Sequence, residues 1–447
     1  IFRRNLNAKM SSTTPSRPLS ATDDSATQRV AAITQQLTTV TRSTPASLPQ
    51  PIASAPVKKK NKEWKHLPSY RDLPSHKGWP GCAWDVWGKG YDQLGTVNLL
   101  TDAVVARSAQ EEIRTGHSIA LNWPAHLPVQ PFYGRKPFEH KLIAKSDKKA
   151  DERRQAVVDR YRSRSKTHSS APETNTDEGA HIPVADEELH FNSQSGTQWD
   201  CFRHYGHVNL GVHYQGVPRV EIQESFNDST RPHNPNFESP SAPALKLGVQ
   251  NWAQHGICGR AILLDVWGYL SRKDLDRQKR GHHKTGYRFG PYDPCGTHMI
   301  TVDDLRETAQ AQGVRFRQGD ILLIRVGFTT RYYNSKPSER QKWATSLPPS
   351  FAGLESNHRM AAWLWDNHFA AVASDSPCLE SWPPRKGYTS LHEQLLAMFG
   401  MPIGEMFDLE ALTEHCLKER RWTFHFTSWP MNLYGGAASP ANAAAYF

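Results

Sequence analysis

Apolar residues recur in two patterns, and the second half of the chain shows both of them clearly. Short continuous apolar runs are typical of buried strands, and they cover residues 260–270, 320–327, 369–374 and 422–428. Between these runs, apolar residues spaced three and four apart predict helices at 301–312, 356–368 and 391–399. Strands that alternate with helices indicate an α/β architecture.

The first half of the chain is richer in predicted strands. One helix is predicted at 102–114, because Thr101 can cap its start and Gly116 can end it. Strands are predicted at 118–123, 209–216 and 218–222. We therefore predict an α/β fold class with a mixed sheet in a single large domain.

Composition divides the chain into a tail, a domain and an insertion. Residues 1–62 are rich in Ser, Thr, Pro and Ala and poor in aromatics, which predicts a disordered basic tail. Residues 63–447 form the predicted catalytic domain. A polar, basic insertion interrupts this domain at about 136–187, and the apolar pattern resumes directly after it.

The net charge of +10 does not indicate nucleic-acid binding, because the basic residues lie outside the predicted folded surface. Residues 1–62 contain ten Lys or Arg against two Asp, and residues 135–166 contain twelve against five acidic residues. No apolar run approaches the roughly eighteen residues of a membrane span. The six scattered cysteines form no Cys-x-x-Cys pair and suit a reducing compartment. We expect a cytoplasmic protein without nucleic-acid or membrane partners.

The candidate chemistry is concentrated in one stretch, residues 190–207. If this stretch is extended, one face carries side chains that bind metals or move protons, namely His190, Gln194, Gln198, Asp200 and His204. A hydrogen-bonded polar strand is the alternative interpretation. Cys201, beside Asp200, is a second candidate as a thiol nucleophile.

A second polar cluster lies much later in the chain. His392 starts a predicted helix and Glu405 follows the Gly400 turn, and both are close to apolar segments where a lone charge is costly. A metal centre for hydrolysis needs about three O or N ligands and a separate acid or base. Together with Asp200, this second cluster could complete such a set.

The central stretch also resembles a known family. Gly196-Thr197-Gln198-Trp199-Asp200, followed by His204, is similar to the His-x-Gly-Thr-His-x-Asp-x-Pro-x-His signature of the putative cyclase family, which includes bacterial kynurenine formamidase and isatin hydrolase. Further stretches resemble the same family at 92–98, 260–266, 319–327, 375–377, 392–396 and 435–442. The resemblance spans roughly residues 79–447 without the insertion.

The resemblance implies a cyclase-like β/β/α fold, a homo-oligomer, and hydrolysis of a small cyclic amide, lactone or arylformamide by activated water. By position it implies that His204 and Glu405 are catalytic. It also implies metal binding by a larger set, namely Asp200, Gln194, Gln198, His392 and Glu405. Trp199, Trp87 and His207 are expected to bind the substrate.

Gln194 and Gln198 stand where the family has two metal-binding histidines. A glutamine offers only a neutral carbonyl oxygen, which is a weak ligand for a transition metal. One Mn, Zn or Mg ion could be held with an amide oxygen, or His190 could replace a lost ligand. The site could also be metal-free, with both amides bonded to the substrate. A cyclase or dehydratase of secondary metabolism and a degenerate small-molecule-binding protein are the rival functions.

Overall fold

The computed structural model describes residues 64–88, 92–144, 156, 159–160, 185–229, 245–280, 290–384, 387 and 389–447. The predicted tail at 1–62 and most of the predicted insertion lie outside these residues. No helix within the described ranges is long and apolar enough to cross a bilayer.

Thirteen strands occur in the described part of the chain. They are β1 Ser118–Ala120, β2 Glu139–Ala144, β3 Ala185–His190, β4 Gln198–Asp200, β5 Ile257–Leu264, β6 Met299–Ile300, β7 Ile321–Ile324, β8 Gly353–Leu354, β9 Ala371–Ser374, β10 Ile403–Glu405, β11 Thr423–Ser428, β12 Ala438–Pro440 and β13 Ala443–Tyr446.

Nine of these strands form one mixed sheet, in the order β1-β13-β11-β5-β7-β9-β10-β4-β12. Its centre is parallel, because β5, β7, β9 and β10 run in the same direction. Antiparallel strands complete both edges. Every residue of β5, β7 and β9 is buried, which explains their continuous apolar sequences. The predicted mixed α/β fold is confirmed.

The helices that accompany the sheet alternate with its central strands. The α-helices of the described ranges are α1 Asp102–Glu112, α2 Arg219–Ser229, α3 Gln250–His255, α4 Val266–Lys279, α5 Val302–Ala311, α6 Phe328–Tyr333, α7 Pro337–Thr345, α8 His358–Asp366 and α9 Glu410–Glu419. A π-helix spans Glu393–Phe399, and short 3-10 helices span Tyr70–Asp72, Gly95–Leu99 and Tyr214–Gly216.

Capping residues set several of these boundaries. Thr101 caps α1, and Thr301 with Asp304 forms the predicted capping box of α5. The predicted strand at 260–270 is too long, because Asp265 accepts a hydrogen bond from Gly268 N and so starts α4. The later apolar residues of that run therefore lie on a helix.

Two predictions about the first half of the chain are wrong. Residues 209–216 form turns and a 3-10 helix instead of a strand, and α2 begins where 218–222 was predicted to be extended. The predicted insertion contains ordered structure at both ends, because β2 pairs with β3 as a two-stranded ribbon. All six residues of β3 are exposed. The strand therefore has no buried face that an alternation of apolar and polar residues could have revealed in the sequence.

Candidate active site

The site is built on the pairing of β4 with β10. Their antiparallel register places Gln198 directly opposite Glu405 and Asp200 opposite Ile403. Because side chains alternate along a strand, Gln198 and Asp200 share one face while Trp199 points to the other. Two elements that are distant in sequence thus bring together the two predicted clusters.

The turn before β4 fixes the position of Gln194. Thr197 Oγ1 accepts a hydrogen bond from Trp123 N at 2.9 Å and donates one to Met406 O at 2.5 Å. At Gly196, a side-chain Cβ would come within 2.9 Å of Leu127 O, which is too close for another residue. The Gly-Thr pair therefore holds this turn against β10.

Two amide groups line the carboxylates of the site. Gln194 Nε2 donates to Asp200 Oδ1 at 2.7 Å and lies 3.1 Å from His204 Nδ1. Gln198 Nε2 donates to Glu405 Oε2 at 2.9 Å and to Asp200 Oδ1 at 3.3 Å. Both glutamines thus present the nitrogen of the amide to the carboxylates. That they bind a metal stays a prediction: an amide nitrogen has no lone pair to offer, so only the amide oxygen of each glutamine could be a ligand.

His392 is oriented by a buried carboxylate. Its Nδ1 donates to Glu380 Oε2 at 2.7 Å, and its backbone N–H lies 3.3 Å from Glu380 Oε1. The other ring nitrogen, Nε2, faces Asp200 Oδ2 at 3.7 Å and Glu405 Oε1 at 3.4 Å. A neutral Nε2 lone pair facing two carboxylates is repulsive, so either a proton or a metal cation must lie there.

The donor atoms fit a divalent cation. Asp200 Oδ2 and Gln198 Oε1 are buried and lack a hydrogen-bond partner among the described residues. Two groups of ligand atoms, each lying within 4.8 Å of one another, share His392: one contains Asp200 and His204, and the other contains Cys378 and Glu405. Carboxylate and imidazole donors suit Mn or Zn, and an orienting carboxylate behind the imidazole is usual at such sites.

The electrostatics of the site separate its two central carboxyl groups. Burial would raise the pKa of Asp200, but the positive charges of His204 and His392 outweigh it and lower the pKa to about 2. Burial and the charge of Asp200 together raise the pKa of Glu405 to about 7. Asp200 is therefore a permanent anion, whereas Glu405 holds or releases a proton near neutral pH.

The two histidines also differ. Burial lowers the pKa of His204, so its neutral form is favoured near pH 7. Burial also opposes the charged form of His392, but the carboxylates of Glu380, Asp200 and Glu405 raise its pKa well above the usual value. The His204 side chain is 21% exposed, while that of Asp200 is completely buried. His204 therefore lies at the opening of the site, as a group that exchanges protons should.

The two tryptophans that were expected to bind the substrate lie in the core. Trp199 has no exposed surface, and its indole N–H donates to Ser428 Oγ at 2.9 Å. The expectation for Trp199 is wrong, because alternation along β4 turns it away from Asp200. Trp87 packs against Trp64 and Trp365 and is 4% exposed, so it offers a substrate no surface.

The remaining predicted groups lie apart from the cluster or are inert. His207 is 1% exposed and contacts the Trp79 ring and Glu393. His190 ends the exposed strand β3, where it pairs with Glu139, so it is not a substitute ligand. Burial raises the pKa of Cys201 to about 12, which argues against a thiolate nucleophile.

Three residues of the site were not found from the sequence. Glu380 lies in a buried run, and a lone carboxylate there was the available signal. Arg135 donates to Gln194 O at 2.8 Å, and Tyr133 packs beside it. In the sequence Arg135 was grouped with the basic residues 135–166, which were expected to lie outside the folded surface. It closely follows the aromatic pair Phe132-Tyr133, and that position was the missed signal.

Comparison with known proteins identifies the family and the fold. The family model described as putative cyclase matches residues 66–381. A solved structure described as a novel cyclase is 24% identical, covers 82% of this chain and 99% of its own chain, and superposes with a TM-score of 0.58, which shows the fold.

Isatin hydrolase A structures from Labrenzia aggregata and Ralstonia solanacearum are also similar. The Labrenzia structure is 11% identical, covers 77% of this chain and 97% of its own chain, and has a TM-score of 0.40. The Ralstonia structure is 13% identical, covers 77% of this chain and 95% of its own chain, and has a TM-score of 0.38. No curated protein matches the sequence. With the family model covering most of the domain that carries Gln198, Asp200 and His204, the chain belongs to the putative cyclase family.

Proposed function

We propose that this protein is a metal-dependent hydrolase that opens a small cyclic amide or lactone, or cleaves an arylformamide. The observation that supports it most directly is the unpartnered buried oxygen Asp200 Oδ2, which lies 3.7 Å from the Nε2 atom of His392, together with a second unpartnered buried oxygen, Gln198 Oε1. Such atoms are costly to bury unless a cation is bound nearby. Membership of the cyclase family supports the same reaction class.

Asp200 and His392 would hold the ion, and Glu405 would be the third donor because it lies closest to His392 Nε2. A divalent cation at this position supplies a Lewis acid and lowers the pKa of water. Glu380 keeps the imidazole of His392 in the tautomer whose Nε2 can bind it.

His204 is the group that moves protons. It accepts a proton from the attacking water and delivers it to the leaving nitrogen or oxygen as the carbonyl C–N or C–O bond breaks. The low pKa of His204 leaves its ring able to accept that proton at neutral pH. Gln194, which lies against both Asp200 and His204, holds the two groups at a fixed separation.

A metal-free version is the second candidate, because the amide nitrogens of Gln194 and Gln198 already donate to Asp200 and Glu405. These bonds partly compensate the buried negative charge without a cation. In this version His392 carries the proton on Nε2, and Asp200 and Glu405 orient the attacking water by hydrogen bonds.

Proton release in weakly buffered solution tests the proposal, because opening an aryl lactone (dihydrocoumarin) or a fused lactam (isatin) and cleaving formanilide all produce an acid. We expect turnover that EDTA removes and Mn²⁺ restores. His204→Asn should lower kcat by about 10²–10⁴-fold while Mn²⁺ is still bound. The matched control, His140→Asn, alters a half-exposed histidine on the β2–β3 ribbon and should retain full activity.

Turnover that survives complete chelation would assign the chemistry to the metal-free version. Full activity in His204→Asn would show that another group moves the proton. No turnover of any of the three substrate types, with Mn²⁺ bound, would contradict the proposed reaction class.

A further inference from the structure

Arg135 lies at the edge of the site, although the nearby basic residues Lys136 and Lys141 are exposed. Its Nη1 donates to the carbonyl oxygen of Gln194 at 2.8 Å, and the side chain of Gln194 bonds to Asp200. The adjacent backbone is tied to the same turn, because Ser195 Oγ donates to Lys136 O at 2.7 Å. The guanidinium is therefore held beside the catalytic cluster rather than left free to move.

The guanidinium of Arg135 has no carboxylate partner among the described residues. The neighbouring Lys136, by contrast, pairs with Glu139 at 3.2 Å. The buried arginines Arg260 and Arg325 also have acidic partners, namely Asp320 and Asp265. One bond to a carbonyl leaves most of the planar N–H donors of Arg135 available, and these donors match a carboxylate in a bidentate fork.

An aromatic surface adjoins this guanidinium. Arg135 Cζ lies 5.2 Å from the centre of the Tyr133 ring, which is itself 36% exposed. The Tyr133 ring packs edge-on against Phe351 at 6.0 Å and Trp382 at 6.1 Å. Trp382 lies only two residues after Glu380, so this surface is connected to the group that orients His392. A flat ring placed here meets aromatic groups on one side and a cation at its edge.

The charge of Arg135 reaches the reacting groups. Against the effect of burial, its positive charge lowers the pKa of Asp200, as the charges of His204 and His392 do. It also opposes the rise in the pKa of Glu405 that burial and Asp200 cause. Burial raises the pKa of Tyr133 above its usual range, and the carboxylates of Glu405 and Glu380 raise it further. By contacts, Arg135 is joined to Asp200 through Gln194, and Tyr133 is joined through Trp382 to the segment that carries Glu380.

We infer that Arg135 and Tyr133 select an aromatic substrate that carries a carboxylate in addition to the bond that is cleaved. The inference rests on the proposed function, since it names the substrate class of the same site. The carboxylate binds the guanidinium fork of Arg135 and the ring lies against Tyr133. The scissile carbonyl then points toward Asp200, His392 and His204.

A carboxylate is favoured over a phosphate group because of the charges nearby. Three buried acidic groups, Asp200, Glu380 and Glu405, lie in the site, and Arg135 at its edge supplies one positive charge that pairs with no carboxylate of the described ranges. A doubly charged phosphate would be repelled more strongly than a singly charged carboxylate. The planar carboxylate also matches the fork without further donors.

Ligand binding tests this inference without requiring turnover. The probes are 4-fluorobenzoate, its neutral analogue 4-fluorobenzamide, and 4-fluorophenyl phosphate, each titrated by ¹⁹F NMR against the full chain with and without Mg²⁺. We expect the benzoate to bind about tenfold more tightly than the benzamide, as one charge-assisted fork would give. The phosphate should bind more weakly than the benzoate.

Variants assign that preference to the guanidinium. In Arg135→Gln the benzoate-to-benzamide ratio should fall to about one, because the charge is lost. Lys136→Gln removes the same charge one residue away, from an exposed ion pair, and should leave the ratio unchanged. If Arg135→Gln does not fold, Arg135→Lys provides the test. Lysine keeps the positive charge but cannot bind a carboxylate through two parallel N–H groups, so the benzoate-to-benzamide ratio should fall to about threefold.

Equal binding of benzoate and benzamide to the wild type would overturn the inference. A preference that persists in Arg135→Gln, or one unchanged in Arg135→Lys, would also overturn it. Hydrolysis of neutral lactams without any preference for acids would leave the proposed function intact and refute only this substrate class. If benzoate is preferred over benzamide through Arg135 but the protein hydrolyses none of the tested substrates, the proposed reaction is refuted and the binding inference stands.

Discussion

Two of the buried acidic clusters in the described part of the chain are compensated in different ways. In the first, Arg325 Nη1 contacts Asp265 Oδ1 at 2.9 Å and Arg325 Nη2 contacts Glu410 Oε2 at 2.8 Å. The nearby carboxylate of Asp375 accepts backbone N–H bonds from Val326 and Gly327. None of these carboxylate oxygens is among the unpartnered buried atoms of the described residues.

The second cluster contains Asp200, Glu380 and Glu405, and no guanidinium bonds to any of their oxygens within the described ranges. Their donors are two amides, the Leu379 backbone N–H and His392. Asp200 Oδ2 is left without a partner. In the first cluster an arginine side chain carries the positive charge, whereas the second has no guanidinium partner in the described ranges and, on the proposed function, holds an exchangeable cation.

Removing the cation from the structural cluster should have the largest effect on stability. Arg325→Met leaves Asp265 and Glu410 buried without a positive partner and should lower the free energy of unfolding by about 3–5 kcal/mol. Urea denaturation measures this change. The matched control is Arg359→Met, whose ion pair with Asp303 is more than half exposed and screened by solvent, so its loss should change stability little. Equal losses in both variants would remove the distinction.

The uncompensated charge of Glu405 should make the metal-free protein sensitive to pH. The folded-state pKa of about 7 lies above the unfolded value of about 4.3, so the folded state binds more protons between these limits. Stability contributed by this group therefore falls as the pH rises to about 7, and the full penalty is present above it.

Glu405→Gln removes that penalty. In the presence of EDTA, the variant should be more stable than the wild type at pH 8, by on the order of 2–3 kcal/mol, and should have no such advantage at pH 5. Urea titrations at the two pH values measure the difference. A variant that is destabilised equally at both would show that Glu405 is compensated as fully as Asp265.

Weakening the support of His392 should reduce metal affinity without unfolding the protein. Glu380→Gln keeps an acceptor for His392 Nδ1 but removes the charge, and should lower Mn²⁺ affinity by about 10–100-fold. Isothermal titration measures the affinity. Glu307→Gln, which changes a half-exposed partner of Lys273, is the control and should bind Mn²⁺ like the wild type. Unchanged affinity in Glu380→Gln would mean that His392 is not a ligand.

The smallest effect is expected on the opposite face of β4. Trp199→Phe removes the hydrogen bond to Ser428 and should cost about 1 kcal/mol of stability while substrate affinity is unchanged. Urea denaturation and the KM of the wild type and variant are the measurements. A large rise in KM in the variant would show that Trp199 contributes to substrate binding after all.

The sequence predicted what local chemistry determines. The capping box of α5 and the apolar runs of β5, β7 and β9 follow from residue types over a few positions. The spacing of Gln198, Asp200 and His204 indicated one polar cluster, although only residues 198–200 are a strand and turns bring Gln194 and His204 to the others.

The sequence did not predict what long-range contacts determine. Glu380 contacts His392 because β9 and β10 place its segment beside the residue that directly precedes the π-helix. Arg135 acts because its loop is bonded to Gln194, 59 residues later in the chain. Neither contact produces a pattern of residue types along the sequence. The cluster that is paired with an arginine and the cluster that is not can therefore be distinguished only in the structure.

Equilibrium dialysis against Mn²⁺, followed by metal analysis, shows directly whether the cluster around Asp200 binds a divalent cation. It compares the wild type, Asp200→Asn, and the control Asp303→Asn, in which an exposed carboxylate is changed. We predict about one Mn²⁺ per chain in the wild type and the control, and at least about 100-fold weaker binding in Asp200→Asn. The wild type should also release protons on binding, because the ion displaces the proton of His392. No Mn²⁺ in the wild type, or equal Mn²⁺ in Asp200→Asn, would contradict the account.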